Sequence, residues 1–97
     1  MAKGYWIVHI EVHDPETYKK YAELAGPAVF AFDGKYLARG GAHETMEGEE
    51  LGPRHVVVEF PSYQVALDCY RSDQYQTALK IRKSASKGRL VISEGVA

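Results

Sequence analysis

The sequence predicts an α+β fold, a four-stranded antiparallel sheet with its helices on one face. Two observations carry that reading. Residues 4–13 and 54–60 alternate apolar and mixed side chains with the two-residue period of a strand covered on one side. Each is followed by a helix-start signal, Asp14-Pro15-Glu16 after the first and Pro61-Ser62 after the second, and then by apolar residues at helical steps.

The first strand places Trp6, Val8, Ile10 and Val12 on one face, and Tyr5, Ile7, His9, Glu11 and His13 on the other. Asp14 can cap free backbone N–H groups, Pro15 suits the first helical turn, and Glu16 complements the positive helix end. Tyr18, Tyr21, Ala22, Ala25, Val29 and Phe32 then mark an amphipathic helix, which Pro27 is expected to kink or divide. Asp33-Gly34 supplies turn chemistry. A second strand is expected over residues 35–43, with Gly40-Gly41 suggesting a bulge or a close backbone approach. Residues 47–53 are polar and turn-rich, an exposed connection. In the third strand, Val56, Val58 and Phe60 oppose His55, Val57 and Glu59. Ser62 and Ser72 each offer a cap, so the following helical region is read as two pieces. Gly88 is expected to break the chain before a last strand over residues 90–94.

The order β-α-β-β-α-β is that of the ferredoxin-like split βαβ arrangement. Helices on one side of the sheet leave the other bare, carrying Tyr5, Ile7, His9, Glu11, Val57 and Glu59. That surface is apolar for solvent and polar for a core. Pairing two copies through it buries the apolar part, so a homodimer is expected. An open, solvated face is the alternative.

Composition narrows the function classes. Ninety-seven residues make one domain, 1–97. Twelve basic residues against thirteen acidic ones give a formal net charge of −1, which argues against an electrostatic nucleic-acid binder. No apolar run is long enough for a membrane span, and no membrane partner is expected. The one cysteine excludes an internal disulfide framework and fits a reducing, cytoplasmic location.

Three constellations could carry chemistry. Arg39 and Glu59 fall on strands expected to form a hairpin. Sharing a face, they would pair, with Arg39 binding an anionic ligand and Glu59 acting as a base; a structural ion pair is the plainer reading. His9, Glu11 and His13 share a strand face, and His55 or Glu59 could complete a ligand set. The roughly 6.5–7 Å between alternate side chains makes convergence of His9 and His13 on one ion difficult, so no metal site is expected. Seven tyrosines and Trp6 suggest an aromatic-lined cleft between helices and sheet, with Tyr18 and Tyr70 as candidate ligand contacts; a small core filled by large side chains is the alternative. His9 and Glu59 are the candidate catalytic groups. Cys69 reads as a semi-buried thiol. With no phosphate loop, dinucleotide fingerprint, nucleophile elbow or zinc-protease motif, no cofactor is expected.

Gly4-Tyr-Trp-Ile, Asp14-Pro15-Glu16-x-Tyr18, Arg39-Gly40-Gly41, Glu47-Gly48, Glu59-Phe60-Pro61-Ser62, Tyr70-x-Ser72-x-x-Tyr75-Gln76 and Glu94-Gly95 occur in one order. Together they resemble the bacterial family catalogued as domain of unknown function 1330, within the dimeric α+β barrel superfamily. Ser72-Asp73-Gln74-Tyr75 departs from the Ser-Pro-Glu-Tyr common in that family but still permits a capped helix start. The resemblance implies a ferredoxin-like protomer that pairs its sheet with a second copy, and no established reaction. Two functions follow as expectations. One is cofactor-free binding or transformation of a small polar or aromatic molecule in a helix–sheet cleft; the other is a non-catalytic dimeric structural or sensing module.

Overall fold

The computed structural model describes residues 2–97. Its elements are β1 (Gly4–Val12), α1 (Pro15–Ala31), β2 (Lys35–Arg39), β3 (Arg54–Phe60), α2 (Tyr63–Arg71), α3 (Asp73–Ala85) and β4 (Ser86–Glu94). The strands form one antiparallel sheet in the order β2-β3-β1-β4, the ferredoxin-like arrangement. The central strand β1 is bonded along both edges, to β3 from Gly4↔Phe60 to Ile10↔Arg54 and to β4 from Gly4↔Glu94 to Val12↔Ser86.

The even face of β1 is buried under the helices. Trp6, Val8 and Ile10, with Val56, Val58 and Phe60 of β3, pack against Ala25, Ala28 and Val29 of α1, Ala66 and Cys69 of α2, and Tyr75, Ala78 and Leu79 of α3. Small side chains on the helices let them approach the sheet, where the large ones sit. Trp6 is 2% exposed, and its indole N–H donates to the Ala66 carbonyl at 3.0 Å, so burying the ring leaves no orphaned donor.

The expected caps form. Asp14 accepts from the Thr17 backbone N–H at 3.2 Å and from its hydroxyl at 2.7 Å, which holds the Asp14 carboxyl below the usual carboxylate range. Ser62 accepts from Val65 N–H. Ser72 serves two helices, accepting from Tyr75 N–H at 3.2 Å at the start of α3 and donating to the Cys69 carbonyl at 2.7 Å at the end of α2.

Three boundaries differ from expectation. α1 runs as one helix through Pro27, which lies on its exposed side, where water can satisfy the carbonyl that proline leaves without a donor. β2 stops at Arg39, and its irregularity falls at Leu37, between Tyr36↔Val58 and Ala38↔Val57. Gly40 instead ends the strand, with φ +68° and Arg54 lying where a Cβ would project. Gly88 does not break the chain: β4 starts directly after α3, and Gly88 is one of its strand residues, opposite Ile10.

Replacing Ser72 with Ala removes the caps of two helices at once. Urea unfolding should show a loss of about 1–2 kcal/mol, whereas an unchanged midpoint would mean that the junction is held by packing alone.

Candidate functional site

A cleft opens between α1 and the helix-facing side of the sheet. Its floor is Trp6, Val8, Ile10, Val56 and Val58; Tyr18, Tyr21, Ala22 and Ala25 of α1 form its roof; and Tyr36, Arg39 and Arg54 complete its walls. The empty space, counted out through the mouth, is about 450 Å³ and is bounded largely by the rings of Trp6, Tyr18, Tyr21 and Tyr36. The cleft is therefore a narrow slot between aromatic surfaces.

The bulge at Leu37 shapes it. Simple alternation from Tyr36 would turn Arg39 to the opposite face, but the extra residue shifts the phase, and Arg39 pairs with Val56 on the helix side. Its guanidinium lies over the Tyr36 ring, 4.5 Å from the centroid. Arg54 stacks against Tyr18 at 5.5 Å, with a buried Nε that has no hydrogen-bond partner. Behind Tyr21, Arg82 is only 6% exposed, lies 5.8 Å from that ring, and has an unpartnered Nη1. Among the described residues, no carboxylate lies within 4.0 Å of any of these guanidinium groups.

Three phenols, those of Tyr21, Tyr36 and Tyr75, are donors rather than bases. Tyr21 and Tyr75 hydroxyls meet at 2.9 Å, and burial raises the pKa of both, as it does for Tyr36. Burial also pushes the Cys69 thiol up to about 12, with its sulfur against the Ala28 carbonyl, so it is no nucleophile at neutral pH.

Of the residues singled out from sequence, Arg39 and Tyr18 line the slot. Tyr70 does not: it packs edge-on against Trp6, with ring centroids 6.1 Å apart. The expected Arg39–Glu59 pair does not form. Glu59 pairs with Tyr5 and Lys35 on the other face of the sheet, where it accepts a hydrogen bond from the Tyr5 hydroxyl at 3.1 Å and raises the pKa of that phenol. Sequence reasoning missed Arg54, Tyr36 and Arg82. Arg54 carried a usable signal, since it shares its phase with the buried Val56 and Val58 of its own strand; the place of Tyr36 follows only from its pairing with Val58.

His9 is also on the open face. Its Nδ1 meets the Nδ1 of its cross-strand partner His55 at 2.7 Å. Desolvation, then His55 and Arg89, lowers the His9 pKa, favouring the neutral ring. His43, from the loop after β2, stacks edge-on against His55 at 4.5 Å, and its Nε2 lies 3.7 Å from a Glu50 oxygen. A ligand atom from each of His43, Glu50 and His55 falls within 4.8 Å of the other two, a grouping able to hold a metal ion. His13 lies beyond the end of β1 and outside this grouping.

The sheet order and the one-sided helices define a ferredoxin-like α+β protomer. The family described as Domain of unknown function (DUF1330) matches residues 3–96, and the chain belongs to that family. Among solved structures, a protein of unknown function from Rhodopseudomonas palustris superposes with a TM-score of 0.79 at 18% identity, over 99% of this chain and 84% of that one. SnoaB, a cofactor-independent oxygenase from Streptomyces nogalater, gives 0.68 at 7% identity, over 100% and 96%. A candidate antibiotic biosynthesis monooxygenase from Caulobacter crescentus gives 0.65 at 17%, over 99% and 90%. These likenesses establish the fold. No curated protein matches the chain.

The Tyr21–Tyr75 contact yields a test of how the slot is held. Tyr75→Phe leaves the Tyr21 hydroxyl without its partner and should cost about 1–3 kcal/mol. Adding Tyr21→Phe should restore much of that loss in thermal unfolding; two fully additive losses would show that the hydroxyls do not depend on each other.

Proposed function

We propose that this protein binds a small, flat, anionic molecule, such as an aromatic or conjugated carboxylate, in the slot beneath α1. The observation that supports this most is the excess of guanidinium over carboxylate around an aromatic cavity. Burying part of a guanidinium without a counter-charge is costly, and a bound anion would offset that cost. Arginine offers a planar fork of donors that matches a carboxylate, and the tyrosine faces suit a flat ring. The slot's lining contains no histidine, aspartate or glutamate. General-base chemistry by His9 or Glu59 on a molecule in this slot is therefore disfavoured, and recognition is the part of the function best supported. Cofactor-independent oxygenation, the activity named for SnoaB, is the reaction class to try first, since such chemistry would ask the slot to hold an electron-rich anionic substrate and exclude water. A purely structural or sensing dimer is the second reading, favoured by the packing of Tyr18, Tyr21 and Tyr36 against the core.

We also infer that two copies pair through the open face of the sheet. Val57, Ile7 and Val91 form one row across β3, β1 and β4, with Ile7 37% and Val91 58% exposed. A second copy laid on this row would remove it from water. No helix among the described residues is long and apolar enough to cross a membrane, and the buried thiol of Cys69 is at home in a reducing cytoplasm.

Quenching of Trp6, the only tryptophan and part of the slot floor, should report binding. Benzoate should quench it at lower concentration than neutral benzamide, and Arg54→Met should weaken benzoate at least tenfold, about 1.4 kcal/mol. Equal response to both probes would refute an anion site. Light scattering at micromolar concentration should give twice the chain mass, falling to the monomer for Val91→Lys; a wild-type monomer would remove the pairing.

A further inference from the structure

The histidine–glutamate grouping on the open face lies outside the slot and is independent of the ligand proposed there. We propose that His43, Glu50 and His55 form a binding site for a divalent transition ion of the zinc class, with His9 as the residue that positions His55. Of the residues weighed from sequence for a metal, His9, Glu11 and His13 with His55 or Glu59, the fold brings only His55 into this grouping, where His43 and Glu50 of the loop join it.

Long-range geometry makes the site. His9 and His55 are opposite one another on β1 and β3, so their rings leave the same face of the sheet side by side. The connection between β2 and β3 then returns over this face. Gly52, at φ +102°, lies so close to the backbone of Ile10, where a Cβ would come within 2.8 Å, that only glycine permits the approach. Glu50 precedes that contact and His43 begins the same loop.

The rings are already oriented as ligands. His43 Nδ1 is 3.1 Å from the Gly41 carbonyl, which fixes the proton on Nδ1 and leaves Nε2 with its lone pair facing Glu50. His55 Nδ1 lies 2.7 Å from His9 Nδ1; with His55 donating and His9 accepting in that bond, His55 Nε2 is left for an ion. Histidines that bind metals characteristically have the second ring nitrogen held in this way. Two imidazoles and one carboxylate are a ligand set used for catalytic zinc and for non-haem iron, with a further position open. Ligand atoms within 4.8 Å of one another must close to about 3.3 Å around an ion with bonds of about 2.0–2.1 Å. Rotation of His43 and Glu50, both exposed loop side chains, supplies that movement.

Glu50 also borders a groove shared with His9, Glu11, Glu49, Lys87 and Arg89, whose empty space, counted out through its mouth, is about 710 Å³. Three ligands from the chain leave a further position that water can fill.

The test is titration of full-length protein, freed of metal with chelator and dialysed, with Zn²⁺ by calorimetry and with Co²⁺ by visible absorption. One Zn²⁺ per chain is expected. His43→Ala and Glu50→Ala, both in an exposed loop and checked for native circular dichroism, should each weaken Zn²⁺ at least tenfold and bleach the cobalt bands. His9→Gln should keep the stoichiometry of one while weakening affinity about 10–100-fold; unchanged affinity there would overturn its positioning role. His13→Ala, outside the grouping, should bind as the parent does. Zn²⁺ binding no tighter in the parent than in the His43→Ala/Glu50→Ala double variant, or binding lost on His13→Ala instead, would overturn the site.

Discussion

Strand β1 is bonded on both edges, and its alternation divides the molecule into two chemically different halves. Trp6, Val8 and Ile10 go under the helices, where they are 1–4% exposed. Tyr5, Ile7, His9 and Glu11 go to the other face, and every cross-strand neighbour inherits the same division. A register slip of one residue would exchange the two sets and put histidine and glutamate into the core, so burial of the even face holds the register with the whole hydrophobic free energy of the sheet. Both candidate sites depend on that division. One is the slot beneath α1, and the other is the histidine grouping at the polar end of the open face.

Charge is distributed unequally across that division. The chain is nearly neutral as a whole, yet its arginines and carboxylates are not mixed where the structure is tightest. Arg39 and Arg54 border an aromatic slot while Glu59 faces away from it, tied to Tyr5. Stacking on Tyr36 and Tyr18 gives the two guanidinium groups partial compensation of roughly 0.5–2 kcal/mol each. It leaves the buried Arg54 Nε without a hydrogen-bond partner. A carboxylate partner from the chain would have closed the slot; its absence among the described residues is what makes an external anion the natural complement.

Much of the fold was legible because the relevant signals are local. Asp14-Pro15, Ser62 and Ser72 announce helix starts through atoms within three residues of the cap, and the strands announce themselves through alternation. The illegible parts all depend on distant atoms. Gly88 reads as a break until Ile10 is placed opposite it in the neighbouring strand. The bulge at Leu37 has no glycine to mark it, while the glycines three and four residues later suggest one, so Arg39 was given a partner on the wrong face. Tyr18 and Arg39 were recognisable as slot residues from their types and steps. Arg54 was passed over because an arginine at the start of a strand is ordinarily a solvated end. His43 and Glu50 sit in a loop whose polar composition says only that it is exposed, and nothing near them in sequence says that Gly52 folds it back onto β1.

The central claim, that the slot holds an anion between its arginines, is tested most directly by following the arginine Nε–Hε signals in ¹⁵N-labelled protein during a benzoate titration. The account predicts saturable shifts of Arg39 and Arg54, with Arg71 and Arg89 unmoved. Uniform small shifts of all four, or a response confined to Arg89 on the open face, would contradict it.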